Sequence, residues 1–470
     1  MSKNPHIVII GGGITGLSAA WEIQQSAGKS IDVTLLESNG RWGGKILTQT
    51  MPSPEGGKFI IDAGPESFVT RKREIWDLTC ELGLEDQIID PGGEARGTYV
   101  LDNGKPIALP LSPGAFISTP LLTTRGKLRM AAEPFIARKS DQADESLADF
   151  VTRRLGREAL DKFIGPVLGG IYNTNPDKQS ILVTAPVMRQ MEKEHRSLAI
   201  ASAMRMFNRS GKKTDPNPPP SRFIGFEQGA EELVDTLVNQ LDADCRLNAE
   251  VAHIKKTAVS FVITLRDGQQ LDADVVICAT PANAAVEMLK EAAPEAAALM
   301  AQIEHSHIGT ISLAYHADDI QLAEPIRGLM IPRREKRRID AVVWTSAKIP
   351  ARTPPGYTLL RVFFGGGDPT TATIEEAELV TAVRSELREL LGITAEPIGY
   401  RLARWPNSYP QAGVGHLSLV AAIEAALPAG LFVTGSSYRG LAVPDCVRQG
   451  REAARQASLA LTTINTKPIL

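Results

Sequence analysis

His6-Ile7-Val8-Ile9-Ile10-Gly11-Gly12-Gly13-Ile14-Thr15-Gly16 places a short β-branched run directly before a glycine turn, and Leu17 to Ile23 continues with helical character. A second apolar run, Val33-Thr34-Leu35-Leu36, ends at Glu37, 21 residues after Gly16. Strand, glycines, helix, strand and acid in that order spell a dinucleotide-binding βαβ unit, whose acid is expected about 20 residues on. Each glycine has a physical task. Gly11 permits the tight turn, Gly13 lets backbone approach a pyrophosphate, and Gly16 lets the helix lie close to the strand. The helix start at Ile14 and Thr15 offers unpaired N–H groups and a partial positive charge to phosphates. Glu37 is positioned to accept hydrogen bonds from ribose hydroxyls. An α/β fold with a Rossmann-like domain follows.

Arg41-Trp42-Gly43-Gly44-Lys45 follows closely. Two adjacent glycines allow a second close backbone approach to the cofactor, and Arg41 and Lys45 are candidates for contact with phosphate or the flavin edge. This segment resembles the arginine–double-glycine stretch of the FAD-dependent amine oxidase and desaturase superfamily. A nicotinamide enzyme has no need of it, so the resemblance implies FAD, bound non-covalently, one per chain.

The chain has 470 residues, 43% apolar and 22% charged, with 51 Lys and Arg against 54 Asp and Glu. Near balance of charge argues against a surface built for nucleic acid. The four cysteines, at 80, 245, 278 and 446, show no metal-ligand spacing, so neither a zinc site nor a disulfide framework is expected, and a reducing cytoplasm fits. The apolar run at the start reads as a strand rather than a signal core, and no uninterrupted 18-residue apolar stretch predicts a membrane span. There is no HExxH and no GxSxG. His305 and His307, two apart, are read as structural or exposed.

The cofactor domain is expected from separated segments, residues 1–75, 222–300 and 405–470. In the second, Phe223 to Leu241 reads as a glycine turn and helix, and Arg246 to Ala279 as strands with an Asp267-Gly268 hairpin turn. In the third, Leu431-Phe432-Val433-Thr434 is a strand, and Val443-Pro444-Asp445 opens a helix whose N-terminus favours negative charge on the flavin's pyrimidine ring. Residues 76–221 read as a mainly helical lobe and 301–404 as a sheet-based substrate lobe. Two stretches of the helical lobe, 112–139 and 186–213, are basic. The second also carries Met188, Met191, Leu198, Ile200, Met204 and Phe207, a pattern shared by solvated helix faces and by helices lying on anionic membranes.

Further along, Asp62-Ala63-Gly64-Pro65-Glu66-Ser67-Phe68 with Arg71-Lys72-Arg73 resembles the porphyrinogen oxidase family. Gly165-Pro166, Gly169-Gly170-Ile171-Tyr172, Asn175-Pro176-Asp177-Lys178, Lys193 to Ser197, Pro410-Gln411 with Val414-Gly415-His416, and Gly440 to Cys446 extend the likeness over almost the whole chain, to the bacterial soluble type. The resemblance implies FAD contacts at Gly11, Gly12, Gly13, Ile14, Thr15, Gly16, Glu37, Ser38, Lys45, Ile61, Asp62, Ala63, Gly64, Val251 (packed on adenine), Trp405, Val443, Pro444 and Asp445. Ser436 stands where many relatives carry an acid, so no acidic ribityl contact is carried over. The substrate implied is a reduced tetrapyrrole bearing carboxylates, coproporphyrinogen III or protoporphyrinogen IX in haem biosynthesis. Arg71, Lys72 and Arg73 are candidate carboxylate holders, and Gly169 and Gly170 would let the macrocycle lie near backbone.

The implied chemistry is hydride transfer from a bridging carbon to flavin N5, with no dedicated catalytic side chain. Dioxygen is the expected acceptor, giving hydrogen peroxide. Expected partners are the porphyrinogen, O2 and transiently the next haem-pathway enzyme, with no nucleic acid; the expected location is the cytoplasm, peripheral at the inner membrane face. Other FAD oxidoreductases of the superfamily, amine oxidase or carotenoid desaturase, and a non-catalytic nucleotide-binding protein remain alternatives.

Overall fold

In a computed structural model, which describes residues 4–92, 97–110, 112–141, 143–172, 175–207, 217–320 and 326–465, the strand His6–Ile10 lies at the centre of a five-stranded parallel sheet. The order is Asp244–Arg246, Asp32–Leu36, His6–Ile10, Val275–Cys278, Leu431–Val433. A strand buried on both faces needs apolar residues at every position. Ile7 and Ile9 face one side, with the helices Ile14–Ala27 and Val443–Asn465, while Val8 and Ile10 face the other. That second side is covered by the antiparallel strands Val251–Lys256, Phe261–Leu265 and Gln270–Ala273. The sheet thus draws on three stretches of chain far apart in sequence.

A seven-stranded mixed sheet stands beside it, in the order Gly399–Pro410, His305–His316, Tyr357–Phe364, Ile339–Trp344, Gly328–Met330, Thr98–Asp102, Lys105–Ala108. Its outer face is covered by the helix Glu376–Leu391, whose buried Leu379, Val383, Leu387 and Leu390 recur at helical spacing. Two boundaries differ from expectation. Residues 98–108 are strands of this sheet rather than part of a helical lobe, because Val100 and Leu101 are wholly buried against it. Trp405 lies inside the strand Gly399–Pro410, so no domain edge falls there.

The helical lobe is an insertion. The chain leaves at Phe68–Val69 and returns at Phe223–Phe226, and these two strands pair antiparallel. Leu147, Phe150, Val151, Leu160 and Ile181 form its own apolar core. Beside it Glu133, fully buried, pairs with Arg154 and accepts from Ser197 Oγ (2.5 Å) and the backbone N–H groups of Leu198 (3.0 Å) and Ala199 (3.2 Å). It thereby caps the helix Leu198–Phe207 from a distant segment. The basic stretch continues beyond Phe207 into residues 208–213, which lie outside the described residues. Among the described residues no helix is long and apolar enough to cross a membrane.

Candidate active site

The glycine turn has the geometry its sequence demands. Gly11 takes φ +108°, and its N–H donates to Leu36 O at 2.7 Å. A Cβ on Gly16 would collide with Gly11 O, whereas one on Gly13 would meet nothing within 4 Å. The helix that starts at Ile14 has no side-chain cap on its first N–H groups. An open backbone face beside uncapped N–H donors fits the diphosphate of a dinucleotide. Ile14 and Thr15 are themselves buried beneath that face.

Glu37, the expected ribose acceptor, is bonded within the protein. One carboxylate oxygen accepts from Gly12 N–H (2.8 Å), and the other from Asn39 N–H (2.9 Å), Asn39 Nδ2 (2.6 Å) and Ser38 Oγ (3.2 Å). The acid therefore ties the end of the second strand to the glycine turn. The second glycine pair lies alongside: Gly43 N–H donates to Gly12 O at 2.8 Å. Arg41 corrects its expected role. Its guanidinium donates to Trp42 O (3.0 Å), Ile46 O (3.1 Å) and Gly44 O, so it fixes this loop's shape instead of presenting itself to phosphate.

Lys45 is different. It makes no hydrogen bond or ion pair among the described residues, and burial holds its ammonium below the usual lysine range. Around it stand His305, whose ring bonds Ile303 O (2.9 Å) and Ser437 Oγ (3.1 Å), and Cys446, whose thiol burial pushes up to about 11. A half-buried cation with no partner suits an anion, the second feature that fits a bound diphosphate or electron-rich flavin.

The turn after the strand Lys58–Asp62 joins the two sheets. Ala63 O accepts from Thr310 Oγ1 (3.0 Å), Arg361 (3.0 Å) and the Trp405 indole N–H (3.4 Å), and Gly64 O also accepts from Arg361 (2.5 Å). Ile61 and Asp62 correct the expected contact set. Ile61 packs with Phe59, Tyr357 and Leu359, and the Asp62 carboxylate is buried against Arg352, Thr48 Oγ1 (2.6 Å) and Ala230 N–H (2.9 Å). Both hold the fold. Val251 is buried at the start of its strand, close to where Ala249 N–H meets Glu37 O (2.8 Å).

The cations after this turn separate. Arg71 is exposed and without a partner among the described residues. Lys72 pairs with Asp445 (2.5 Å) in the first turn of the last helix, joining two residues expected to serve substrate and cofactor separately; Val443 and Pro444 begin the same turn. Arg73 pairs with Asp77 one helical turn on (2.6 Å). Lys72 and Arg73 are therefore corrected from open rim cations to paired ones. Gly169 and Gly170 lie within the helix Gly165–Tyr172.

Glu66, Lys348 and Arg361 form a charged cluster that motif reading did not assign. Lys348 Nζ bonds Glu66 at 2.5 Å, and Arg361 stands 3.4 Å from its other oxygen. Burial alone would raise the Glu66 pKa, but the charges of Lys348 and Arg361 take it down to about 2. A visible signal did exist: Arg361 is the one charge in Tyr357-Thr358-Leu359-Leu360-Arg361-Val362-Phe363-Phe364, and a buried charge in an apolar strand implies a partner.

With this geometry in place, the likeness to known proteins is decisive. A family profile described as "Flavin containing amine oxidoreductase" matches residues 14–458. The chain belongs to that family. FAD is accordingly the cofactor whose diphosphate the Gly11–Gly16 turn and Lys45 suit. This flavin oxidoreductase is 32% identical to the coproporphyrinogen III oxidase of Bacillus subtilis (strain 168), over 96% of this chain and 97% of that one. It is 30% identical to the enzyme of the same name from Propionibacterium freudenreichii subsp. freudenreichii, over 97% and 92%. A crystal structure of a presumed protoporphyrinogen oxidase from Exiguobacterium sp. 255-15 superposes with a TM-score of 0.82 at 27% identity, covering 98% of this chain and all of that one.

Proposed function

We propose that the protein oxidises a porphyrinogen, coproporphyrinogen III or protoporphyrinogen IX, to the aromatic porphyrin in haem biosynthesis, with dioxygen as acceptor and hydrogen peroxide as product. The observation that carries this reading is end-to-end similarity to curated coproporphyrinogen III oxidases, joined to an open dinucleotide cradle facing a sheet. Bound FAD would supply hydride acceptance. The chain's own residues bind and orient. Gly13 and the helix start at Ile14 receive the diphosphate, Glu37 and Ser38 line the ribose side, and Lys45 neutralises negative charge. Thr310, Arg361 and Trp405 hold the Ala63–Gly64 turn at a fixed place between cofactor and sheet. Arg71, unpaired, is the rim cation best placed for a substrate carboxylate, and an arginine grips one with two parallel N–H bonds. Residues 1–75, 222–300 and the C-terminal strand and helix serve the cofactor, and the seven-stranded sheet serves the substrate.

The test is parallel turnover of the two porphyrinogens. Porphyrin fluorescence and peroxide should rise together with at least one. Peroxide from an amine with no fluorescence from either porphyrinogen would transfer the protein to the amine-oxidising branch. We also infer a peripheral membrane contact through the helical lobe, on which Ile117, Leu128, Phe135, Ile200 and Met204 are exposed. Arg125, Lys127 and Arg138 lie close by in sequence. Sedimentation with anionic liposomes should be lost at high salt; equal binding to neutral liposomes would refute a charge-assisted contact.

A further inference from the structure

Between the helical lobe and the seven-stranded sheet lies a cavity of about 310 Å³ that the reading above does not use. Its helical wall is an irregular turn: Leu160–Ile164 is π-helical, and it runs into Gly165, which must be glycine because a Cβ would collide with Leu160 O. Single π turns inside helices recur at functional sites. Its sheet wall is the end of three strands, with Ile331, Asp340 and Gly366.

The polar groups of this cavity are unequal. Arg334 is held by Asp102 (2.7 Å) and Arg157 by Asp161 (2.9 Å). Asp340 accepts from the N–H groups of Gly366 (2.7 Å) and Gly367 (2.6 Å). Arg333 makes no hydrogen bond or ion pair among the described residues, Asp340 attracting it only through space. The Asn175 amide nitrogen likewise has no acceptor, its oxygen being bonded by Asp177 N–H (3.0 Å). Arg333, largely exposed, and half-buried Asn175 are thus the two donors at this open pocket with no protein acceptor among the described residues.

We propose that this cavity receives a carboxylate, held by the Arg333 guanidinium and the Asn175 amide, and that its source is one of the two propionate arms that protoporphyrinogen carries as vinyl groups; this rests on the porphyrinogen reading. Ligand pockets span about 300–1,000 Å³, and a chamber at the lower limit admits an arm, not a macrocycle. The reach is short. Gly366 stands three residues beyond Phe363, whose cross-strand neighbour Thr310 bonds the Ala63 turn, a separation of at most roughly 10 Å, with the strand ending at Phe364 and the chain turning at Gly365. Coproporphyrinogen carries propionates where protoporphyrinogen has vinyl groups, so an arm-holding chamber would discriminate between them.

Arg333 opens a short surface turn, so Arg333→Leu should fold, as melting and flavin absorbance would verify. The flavin-loaded protein should then show its KM ratio for the two porphyrinogens shifted about tenfold toward protoporphyrinogen. Equilibrium binding of coproporphyrin III, read by fluorescence, should weaken about tenfold, with partial rescue by Arg333→Lys. Free propionate gives the second arm of the experiment. If only its binding depends on Arg333 and porphyrin binding does not, the chamber takes a small free acid instead of a substrate arm. Wild-type turnover with no dependence of any ligand on Arg333, or an equal loss for both porphyrinogens, overturns the inference alone. A wild type that oxidises neither porphyrinogen overturns the porphyrinogen reading and the arm assignment with it.

Discussion

The glycine cradle and the helical insertion treat polar groups in opposite ways. In the insertion, Glu133 has a charged partner and three hydrogen-bond donors, and Glu192 lies against Arg153 (2.6 Å) and Arg189, all within one lobe. In the cradle, Gly13 faces empty space, the helix start is uncapped and Lys45 has no partner. Buried polar groups in a finished scaffold are satisfied. Single atoms, Arg153 Nε, Arg154 Nε and Gln179 Oε1, are left open even in the insertion; the cradle differs in leaving a whole ammonium group and an uncapped helix start open together, which suits a ligand. The contrast separates residues that hold the fold from residues that hold the cofactor more cleanly than residue type does, since both regions are built from the same lysines, arginines and acids.

The largest effect is expected in the buried ion-pair cluster of the insertion. Glu133→Ala takes from buried Arg154 its nearer carboxylate, Glu192 standing 3.7 Å away, and should lower unfolding stability by about 3–5 kcal/mol, read by urea denaturation. The double change Glu133→Met with Arg154→Leu should restore only part of the loss, because an apolar pair avoids desolvating charge but leaves Ser197 Oγ and the Leu198 and Ala199 N–H groups without their acceptor. A single variant of wild-type stability would break the comparison from the scaffold side.

Gly13→Val tests the other side. Its φ is −75° and its Cβ direction is open, so the apoprotein should melt within about 1 °C of wild type, a shift far smaller than a kcal/mol change produces. FAD affinity should fall at least about a hundredfold, roughly 2.8 kcal/mol. A folded, yellow Gly13→Val protein would remove the diphosphate from this turn.

The smallest effect is expected at Lys45. Lys45→Met should weaken FAD binding about tenfold while leaving the melting temperature of the apoprotein at or above that of wild type, since a half-buried cation gains no partner on folding. The pH dependence has a definite sign. Burial lowers the Lys45 pKa in the apoprotein, so as pH rises through that lowered value the amine loses its charge and FAD affinity should fall. In Lys45→Met that part of the pH dependence should vanish. Identical profiles for the two proteins would show that Lys45 does not serve as the anion's partner.

Residues 6–45 were legible because their information is local. A positive φ at Gly11, the close approach at Gly16 and the buried alternation of Ile7 to Ile10 each follow from near neighbours, and the α/β class follows from them. The roles of Asp62 and Lys72 were not legible in the same way. Asp62 meets Arg352 290 residues later, and Lys72 meets Asp445 across 373. Motif spacing says that a charged residue is present, not which distant charge will neutralise it. Strands 98–108 were missed for the same reason: they are strands because the large sheet buries them.

Sequence alone therefore determined the strand–glycine–helix unit, since glycine's backbone freedom and the strand–helix periodicity act over a few residues. Only the tertiary structure decided which cations are paired, which carboxylates are structural and where unsatisfied donors converge. Those outcomes depend on Coulomb partners and burial contributed by segments hundreds of residues apart, and no local pattern encodes them.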